Sequence, residues 1–142
     1  MASHNTMHVE VVTAERELYS GEAELVSAPG ADGRLGILPG HAALLALLAP
    51  GGLRIDLRGS EENLFVSGGF IEVANNRVTV LADTAEHAEE IDTARAEAAR
   101  RRAQERLQET QASSDRAALQ AALQRALFRL RVAETGRRHR RV

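Results

Sequence analysis

The sequence predicts a β-sandwich or flattened barrel followed by an α-helical hairpin. Through residue 84, apolar and polar positions alternate in short segments separated by turn residues, at the spacing of roughly 8–12 residues that is typical of all-β domains. From residue 85 the apolar positions follow a helical period, and the stretch is rich in alanine, the best helix former. The chain therefore divides into a β half and an α half.

The composition is that of a globular protein without special covalent or membrane features. Its apolar fraction of 44% is sufficient for a core. Three Phe and one Tyr are the only large aromatic side chains, so Val, Leu, Ile and Ala must fill that core. The lack of Cys excludes disulfides and thiolate metal sites. No apolar run approaches the roughly 18 residues of a membrane span, and residues 1–6 do not form a secretory signal. We expect a cytoplasmic protein with a disordered leader at 1–6.

Charge is divided unequally between the two halves. Residues 1–84 hold 5 Arg and 11 acidic residues, a net charge of −6, whereas residues 85–142 hold 13 Arg and 9 acidic residues, a net charge of +4. The chain contains no Lys, and Arg can bind a carboxylate or phosphate through two parallel hydrogen bonds, which Lys cannot do. This split indicates two modules with different partners.

The β half is predicted to contain roughly nine short strands. A stiff corner at 35–41, rich in Gly and Pro, precedes an apolar run at 42–48 that should form a buried strand. A turn is predicted at Ser20-Gly21, and a tight hairpin is predicted at Asn75-Asn76 because Asn tolerates positive φ. The strand-like segments are 7–12, 17–19, 22–28, 34–38, 42–48, 52–58, 63–66, 69–74 and 77–82.

The α half is predicted to form two helices, which must run antiparallel because the turn between them is short. Asp92 can cap the first helix by accepting hydrogen bonds from free backbone N–H groups. The predicted turn is Ser113-Ser114-Asp115, the predicted stop is Thr135-Gly136, and a disordered basic tail is expected at 137–142. Alanine-rich inner faces bury little apolar area, so the hairpin should be weakly held. The predicted inner faces are Ile91, Ala94, Ala98, Ala103 and Leu107 in one helix and Leu119, Leu123, Leu127 and Leu130 in the other.

Four stretches in a fixed order resemble the ε subunit of F-type ATP synthases of the bacterial type. With the two-part layout, the resemblance covers about residues 7–134. Each stretch alone is a weak signal, but four in order across the change from β to α structure are specific. The stretches are Gly33-Arg34-Leu35-Gly36-Ile37-Leu38-Pro39-Gly40-His41-Ala42, Val66-Ser67-Gly68-Gly69-Phe70-Ile71-Glu72-Val73, Val78-Thr79-Val80-Leu81-Ala82-Asp83-Thr84-Ala85 and Ile91-Asp92-Thr93-Ala94-Arg95-Ala96.

The resemblance implies a ten-stranded antiparallel β-sandwich at 7–86 and a regulatory helical hairpin at 87–136. It implies a non-catalytic rotor subunit of the central stalk, at the cytoplasmic face of the cell membrane, that helps to couple proton flow to ATP synthesis. The sandwich would bind the γ subunit and the c-ring, with Arg34, Leu38 and His41 at the interface. The hairpin would lie folded on the sandwich or extend toward the α/β catalytic head and block ATP hydrolysis. The family often has an acidic residue in place of Arg34, so the polarity of the c-ring contact would differ here.

Some members of the family bind ATP on the folded hairpin through an Ile-Asp-x-x-Arg-Ala motif. ATP is thus a candidate regulatory ligand, while no cofactor is required. Arg95 and Arg102 are seven residues apart and Arg125 and Arg129 are four apart, so each pair shares a helix face. A triphosphate would relieve the repulsion among these arginines by accepting paired hydrogen bonds. The matching positions are Ile91, Asp92, Arg95 and Ala96, with Glu86, Arg102, Arg125 and Arg129.

The alternative to a nucleotide site is purely structural. Asp92 would then be only a helix cap, and the arginines would be solvated or paired with Glu97 and Glu105. Catalysis is not expected, because His41 has no Ser, Cys or carboxylate constellation beside it and the histidines lack metal-ligand spacing. Gly68-Gly69 is not followed by the Lys and helix of a phosphate-binding loop.

Two other classes of function are disfavoured. A nucleic-acid module could use the arginines at 100–102, but the β half is acidic and nearly free of rings on which bases could stack. A small-molecule enzyme on a β-sandwich would need convergent polar groups in a cleft. Co-purification with a γ-type coiled-coil subunit would separate both classes from the rotor subunit.

Overall fold

A computed structural model describes residues 5–109 and 113–140 of the chain. Within them, ten β-strands are followed by a 3-10 turn at Ala88–Glu90 and by the helices α1 (Thr93–Glu109) and α2 (Ser113–Arg140). The predicted order of β and then α structure is thus confirmed. The strands are β1 (Met7–Val12), β2 (Glu17–Ala23), β3 (Leu25–Gly30), β4 (Gly33–Ile37), β5 (Leu44–Leu48), β6 (Gly51–Leu57), β7 (Ser60–Val66), β8 (Gly69–Ala74), β9 (Arg77–Ala82) and β10 (Ala85–His87).

The strands pair in one continuous path that folds over into a sandwich. Their order is β10-β7-β6-β3-β5-β8-β9-β1-β2, and β4 pairs with β3 beside this path. The predicted ten-stranded sandwich is confirmed. One strand pair departs from the predicted antiparallel pattern, because β1 and β9 run parallel, with Val9 opposite Val78. These two strands are distant in sequence, so no hairpin turn constrains their relative direction.

The core between the layers is aliphatic, as predicted. Val9 and Val11 of β1 are fully buried beside Val78 and Val80 of β9, while the residues between them face outward. This alternation places one face of each strand in the core. No Phe belongs to this main cluster, and Tyr19 packs only at its edge.

Two predicted features of the β half are wrong. Ser20-Gly21 is not a turn, because β2 runs unbroken past it and pairs with β1; the reversal lies at 13–16 instead, where the Thr13 N–H donates to the Arg16 carbonyl at 2.9 Å. The apolar run at 42–48 is also not a buried strand. Leu48 is buried, but Leu45 is 71% exposed and Leu47 is 57% exposed. One side of β5 faces solvent because no layer covers it.

The hairpin at Asn75-Asn76 is confirmed, with φ angles of 51° and 60°. Asn76 also connects distant segments, since its Oδ1 accepts a hydrogen bond of 2.9 Å from the Gly40 N–H and its Nδ2 donates one of 2.8 Å to the Thr6 carbonyl. The stiff corner is therefore attached to the β8–β9 turn. Thr6 is held in place as well, so the predicted disordered leader does not include it; residues 1–4 lie outside the described residues.

The helices form the predicted antiparallel hairpin and lie folded on the sandwich. The Arg116 Nη1 donates to the Leu107 carbonyl at 2.6 Å, which joins the start of α2 to the end of α1. Further along, α2 packs against β6, β7 and the 3-10 turn. A second apolar cluster fills this seam and consists of Phe65, Ala88, Ile91, Val132 and Ala133, with Phe128 at its edge.

The end of α2 differs from the prediction. Thr135-Gly136 does not stop the helix, which continues to Arg140, so the predicted disordered tail at 137–142 is helical over its described part. Gly136 is buried, and a Cβ at this position would lie 2.6 Å from the Ala88 Cβ. This glycine permits close packing of α2 on the 3-10 turn rather than ending a helix.

The predicted inner faces of the helices are partly wrong. Ala94 is exposed, and Leu127 is 42% exposed, whereas Ala96, Ala103 and Ala126 are buried. Ser113-Ser114-Asp115 begins α2 rather than forming the turn, and residues 110–112 lie outside the described residues. No described helix has the length and apolar character needed to cross a bilayer.

Candidate nucleotide-binding site

Asp92 caps α1, as the sequence predicts. Its Oδ1 accepts a hydrogen bond of 3.1 Å from the Arg95 N–H, and its carbonyl accepts one of 3.0 Å from the Ala96 N–H. The first bond satisfies one of the free donors at the helix N-terminus, and the second is the first backbone hydrogen bond of the helix itself. Asp92 thus sets the direction in which α1 leaves the sandwich, and with it the position of Arg95.

A surface depression lies where the two helices meet the end of the sandwich. It has a volume of about 580 Å³ and adjoins a second depression of about 570 Å³. Small side chains at Ala99, Ala122 and Ala126 leave room beside the charged groups. The two depressions bring together six of the predicted nucleotide-binding residues: Glu86, Asp92, Arg95, Arg102, Arg125 and Arg129.

The other two predicted residues, Ile91 and Ala96, do not line either depression. Ile91 is buried in the second apolar cluster, and Ala96 is fully buried on the inner face of α1. Their side chains hold the start of α1 against its neighbours. Within the motif, these two residues position the helix, and Asp92 and Arg95 face the depression.

The depression carries uncompensated positive charge. Arg129 Nε lies 2.5 Å from Glu86 Oε1, so one arginine is paired with the last strand of the sandwich. Arg95, Arg102 and Arg125 have no acidic partner within the described part of the chain. The carboxylates of Glu86, Glu90 and Asp92 also line the two depressions, but five arginines face these three acids. The resulting excess of positive charge favours the binding of an anion.

The alternative pairing with acidic residues of α1 is not adopted by the described side chains. Glu97 bonds Arg100 instead, one turn along the same helix, and this bond lowers the pKa of the Glu97 carboxyl. Glu105 is exposed and forms no ion pair with the arginines of the depression in the described region. These arginines therefore remain available for a ligand.

Arg16 is a member of the site that sequence reasoning missed. Its Nη2 lies 2.8 Å from Glu90 Oε2, which links the β1–β2 turn to the 3-10 turn before α1. The hydrogen bond from Arg16 lowers the pKa of the Glu90 carboxyl. The partners are 74 residues apart, and no local pattern marks such a pair.

A group with metal-ligating side chains lies beside the same seam, although the spacing of the histidines predicted none. Potential ligand atoms of Glu62, His87 and Glu89 lie within 4.8 Å of one another. His87 Nδ1 is 2.9 Å from Glu62 Oε1, at an angle that does not make a hydrogen bond. Such groups are common without an ion, and this one joins β7, β10 and the 3-10 turn through their side chains.

The three predicted interface residues lie at the surface of the sandwich but in different surroundings. Leu38 is 58% exposed, and His41 is exposed with its Nδ1 2.7 Å from the Ala42 carbonyl. Arg34 is exposed as well, but its Nε donates to Ser27 Oγ at 2.9 Å, and partial burial lowers its pKa. The predicted surface thus consists of an open corner and an arginine that is bonded to β3.

An exposed apolar stripe on the sandwich was also missed by sequence reasoning. Four side chains form it, and their backbones are neighbours across β5, β8 and β9, since Leu47 lies opposite Phe70 and Phe70 lies opposite Leu81. The exposed fractions are 71% for Leu45, 57% for Leu47, 48% for Phe70 and 52% for Leu81. A contiguous patch of this kind on a sheet face indicates a protein contact.

Comparisons with known proteins agree with this geometry. The family described as "ATP synthase, Delta/Epsilon chain, beta-sandwich domain" matches residues 6–88, and "ATP synthase, Delta/Epsilon chain, long alpha-helix domain" matches residues 89–134. An ATP synthase epsilon chain of Pelotomaculum thermopropionicum is 52% identical over 103 residues, which cover 72% of this chain and 77% of that one. The corresponding chain of Chloroflexus aurantiacus is 55% identical over 94 residues, which cover 66% and 68%.

Solved structures share the fold at lower identity. A chain from the mitochondrial ATP synthase of Euglena gracilis superposes with a TM-score of 0.70 at 21% identity, over 92% of this chain and 78% of that one. A chain from the central stalk and c-ring structure of the Tetrahymena thermophila enzyme has a TM-score of 0.63 at 16% identity, over 89% and 96%. With both family matches and relatives above 50% identity, the chain belongs to the ATP synthase delta/epsilon chain family.

Proposed function

We propose that this chain is the non-catalytic ε subunit of the central stalk of an F-type ATP synthase. As part of the rotor it would couple proton flow to ATP synthesis, with the hairpin restraining ATP hydrolysis. Membership of the family and the two-part fold support this role. The subunit would be peripheral, held at the cytoplasmic face of the cell membrane through its partners in the complex.

The sandwich would bind the γ subunit through its exposed apolar stripe. Leu45, Leu47, Phe70 and Leu81 give a firm surface because their strands are paired on both sides or anchored in the core. Aromatic and leucine side chains at the centre of a contact contribute much of its free energy when water is excluded. The helices pack against β6 and β7 and leave this stripe uncovered.

The corner at Leu38 and His41 would contact the c-ring. Hydrogen bonds hold the backbone of this corner: the His41 N–H donates to the Leu38 carbonyl at 3.1 Å, and the Gly40 N–H donates to Asn76 Oδ1. Such a corner can transmit force without bending. Arg34 would contribute positive charge near this contact, where the family often has an acidic residue.

The hairpin would detach from the sandwich at a modest cost in free energy. The hairpin meets the sandwich through α2, and the buried apolar side chains of α2 in the described region are Ala126, Val132 and Ala133. Two of these three are alanines, which contribute little apolar free energy. An element held in this way can detach at a modest cost while the sandwich remains folded. Once extended, it would present its arginines to acidic segments of the α/β head.

ATP would act as the regulatory ligand by binding the folded hairpin. The observation that supports this proposal is the convergence of Arg95, Arg102 and Arg125 from both helices at the edge of the sandwich. None of the three has an acidic partner among the described residues. Extension of the hairpin would separate these groups. Since ATP would bind the folded state more tightly, it would shift the equilibrium toward that state and relieve inhibition.

Two experiments test this function. Calorimetric titration of the full chain with ATP should give saturable heat, and Arg95→Gln should weaken binding by about tenfold or more, the loss of one charge-assisted hydrogen bond. Arg106→Gln removes an equal charge outside the depression and should leave the affinity unchanged. No heat at millimolar ATP, or equal heats for Arg95→Gln and the parent, would contradict the nucleotide site.

The second experiment measures ATP hydrolysis by the assembled catalytic head with the full chain or with a chain lacking residues 87–142. Removal of the hairpin should raise hydrolysis while the sandwich still binds γ. Equal hydrolysis with both chains would contradict the inhibitory role.

A further inference from the structure

A separate cavity lies under α2, around the helix from the candidate nucleotide site. It has a volume of about 430 Å³, lies between the sandwich on one side and α2 on the other, and is open to solvent. This volume falls in the range of roughly 300–1,000 Å³ of small-molecule sites. Residues of α2 that line it are Phe128, Arg131, Val132 and Thr135, none of which lines the depression at Arg95 and Arg125.

The floor of this cavity is apolar and shaped by glycines. Pro29 and Pro50 lie on the sandwich side. Gly51 lets β6 approach Pro29, where a Cβ would lie 2.8 Å from the Pro29 Cβ, and Gly52 lets the backbone of β6 approach the helix. A Cβ at position 52 would lie 3.1 Å from a methyl carbon of Val132. The space therefore depends on glycine positions, where a side chain would fill it. Its apolar walls suit the flat or aliphatic body of a ligand.

Two arginines at this cavity have no acidic partner in the described parts of the chain. Among the described residues, Arg34 bonds Ser27, through the hydroxyl at 2.9 Å and the carbonyl at 3.3 Å. Arg131 is placed over the ring of Phe128, with its Cζ 5.6 Å from the ring centroid. Partial burial and the charge of Arg54 both lower the pKa of Arg34.

Two further charged groups line the cavity, and they offset each other. Arg54 Nε lies 3.2 Å from Glu61 Oε1 and 3.1 Å from Asp56 Oδ1. The Glu61 carboxylate is thereby paired with Arg54, and Arg54 already has acidic partners. An anion entering the cavity would meet Arg34 and Arg131 as its available partners.

We propose that this cavity binds a small amphipathic organic anion, whose carboxylate, sulfonate or phosphate is held by Arg34 and Arg131 and whose apolar body lies against Pro29, Pro50 and Phe128. The guanidinium groups would supply charge-assisted hydrogen bonds, and the apolar walls would contact the body of the ligand. A simple inorganic anion lacks the apolar body and would bind much more weakly.

Such a ligand would bias the position of the hairpin; this consequence, unlike binding itself, rests on the proposed function. Part of the cavity wall is α2, so the site exists only while the helix lies on the sandwich. A ligand that binds only this state stabilises it by mass action. The ligand and ATP would then act on the same equilibrium from different sides of α2.

The test is a titration of the full, isotope-labelled chain with 1-naphthyl phosphate, followed by NMR and calorimetry. Saturable shifts should appear at Gly52, Phe128 and Thr135. Inorganic phosphate, which lacks the body, and 1-naphthol, which lacks the charge, should each bind at least about tenfold more weakly. ATP should not displace the probe.

Variants separate this site from the nucleotide site. Arg131→Gln and Arg34→Gln should each weaken probe binding by about tenfold and leave ATP affinity unchanged. Arg95→Gln should weaken ATP binding and leave probe affinity unchanged, and Arg106→Gln should change the affinity for neither ligand. Circular dichroism verifies that each variant is folded.

Three outcomes overturn the proposal: equal binding of 1-naphthol, probe affinity that is unaffected by Arg131→Gln and Arg34→Gln, or probe binding that is lost in Arg95→Gln. Failure of ATP to bind would contradict the nucleotide site alone, since the probe titration does not depend on it.

Discussion

Arg129 in the middle of α2 bonds Glu86 in β10, with its Nε 2.5 Å from the carboxylate oxygen. Both side chains are about a quarter exposed, at 28% and 24%, so the pair is shielded from much of the solvent screening of surface ion pairs. It is the ion pair that ties α2 directly to the sandwich in the described part of the chain. The folded position of the hairpin should depend on it.

Glu86→Gln should therefore loosen α2 without unfolding the sandwich. The change leaves Arg129 without its acidic partner, at an expected cost of about 1–3 kcal/mol. Hydrogen exchange should become faster in α2 and stay unchanged in β1 and β9. Glu105→Gln removes an exposed carboxylate and serves as the matched control. Equal exchange rates in α2 of both variants would show that the pair does not hold the helix.

Gly136→Ala should lift the end of α2 from the 3-10 turn. Alanine favours helix by about 1 kcal/mol over glycine, but overpacking typically costs about 1–3 kcal/mol, and the new methyl would meet the Ala88 Cβ at 2.6 Å. Because the backbone-bound methyl of Ala88 cannot swing away, the steric cost should prevail. Faster exchange at 131–137 is the expected result.

A second substitution at the Gly136–Ala88 contact should reverse the effect of Gly136→Ala. Ala88→Gly removes the opposing methyl, so the double variant should recover most of the slow exchange of the parent chain. Slower exchange in Gly136→Ala alone would mean that helix propensity, rather than packing, decides at this position.

The Arg16–Glu90 pair should make attachment of the hairpin sensitive to acid. Arg16 lowers the pKa of the Glu90 carboxyl below its ordinary value of 4.5, so the charged form is favoured when folded. The stabilisation is fully present above pH 4.5 and is lost as the pH falls through the lower, folded pKa.

Urea unfolding of the parent and of Arg16→Gln between pH 7 and pH 3 measures this effect. The two chains should differ by a constant, small amount down to about pH 4.5 and converge below it. Arg106→Gln, which has no such partner, should run parallel to the parent throughout. A difference between parent and Arg16→Gln that persists unchanged to pH 3 would rule out this linkage.

Phe70→Thr and Leu47→Thr should impair binding of γ with little effect on folding. Threonine suits a strand, and both side chains already face solvent, so the free energy of unfolding should change by less than about 0.5 kcal/mol. If the stripe is the centre of the contact, each change should cost about 2 kcal/mol, roughly 30-fold in affinity.

Surface-immobilised γ subunit gives the affinities for that comparison. Leu127→Gln alters an exposed leucine on α2, away from the stripe, and should bind as the parent does. Unchanged affinity of both threonine variants would place the γ contact elsewhere on the sandwich.

Short-range patterns were sufficient for much of the fold. Alternation in β1 and β9 follows from the two-residue period of a strand, the hairpin at Asn75-Asn76 follows from tolerance of positive φ, and the cap at Asp92 follows from free N–H groups at a helix start. Each depends on residues within a few positions of one another. Local backbone geometry is therefore enough to predict them.

Burial and helix ends were harder to predict. An apolar run such as Leu44–Leu48 predicts a strand, but only the arrangement of the layers determines that Leu45 and Leu47 face outward. Gly136 is a residue type that commonly ends a helix, yet here it lies within α2 and permits close contact with Ala88. Both outcomes depend on which surface covers the residue in space.

The sequence by itself determined the β-then-α order, the start of α1 and the arginines that share helix faces, because these features rest on the periods of strand and helix. Only the tertiary structure decided that Arg129 meets Glu86 across 43 residues and that Arg16 meets Glu90 across 74. It also decided that Ile91 and Ala96 pack inside the protein while Asp92 and Arg95 face the depression. The reason is physical: an ion pair or a cavity wall between distant segments exists only after apolar burial has fixed the path of the chain.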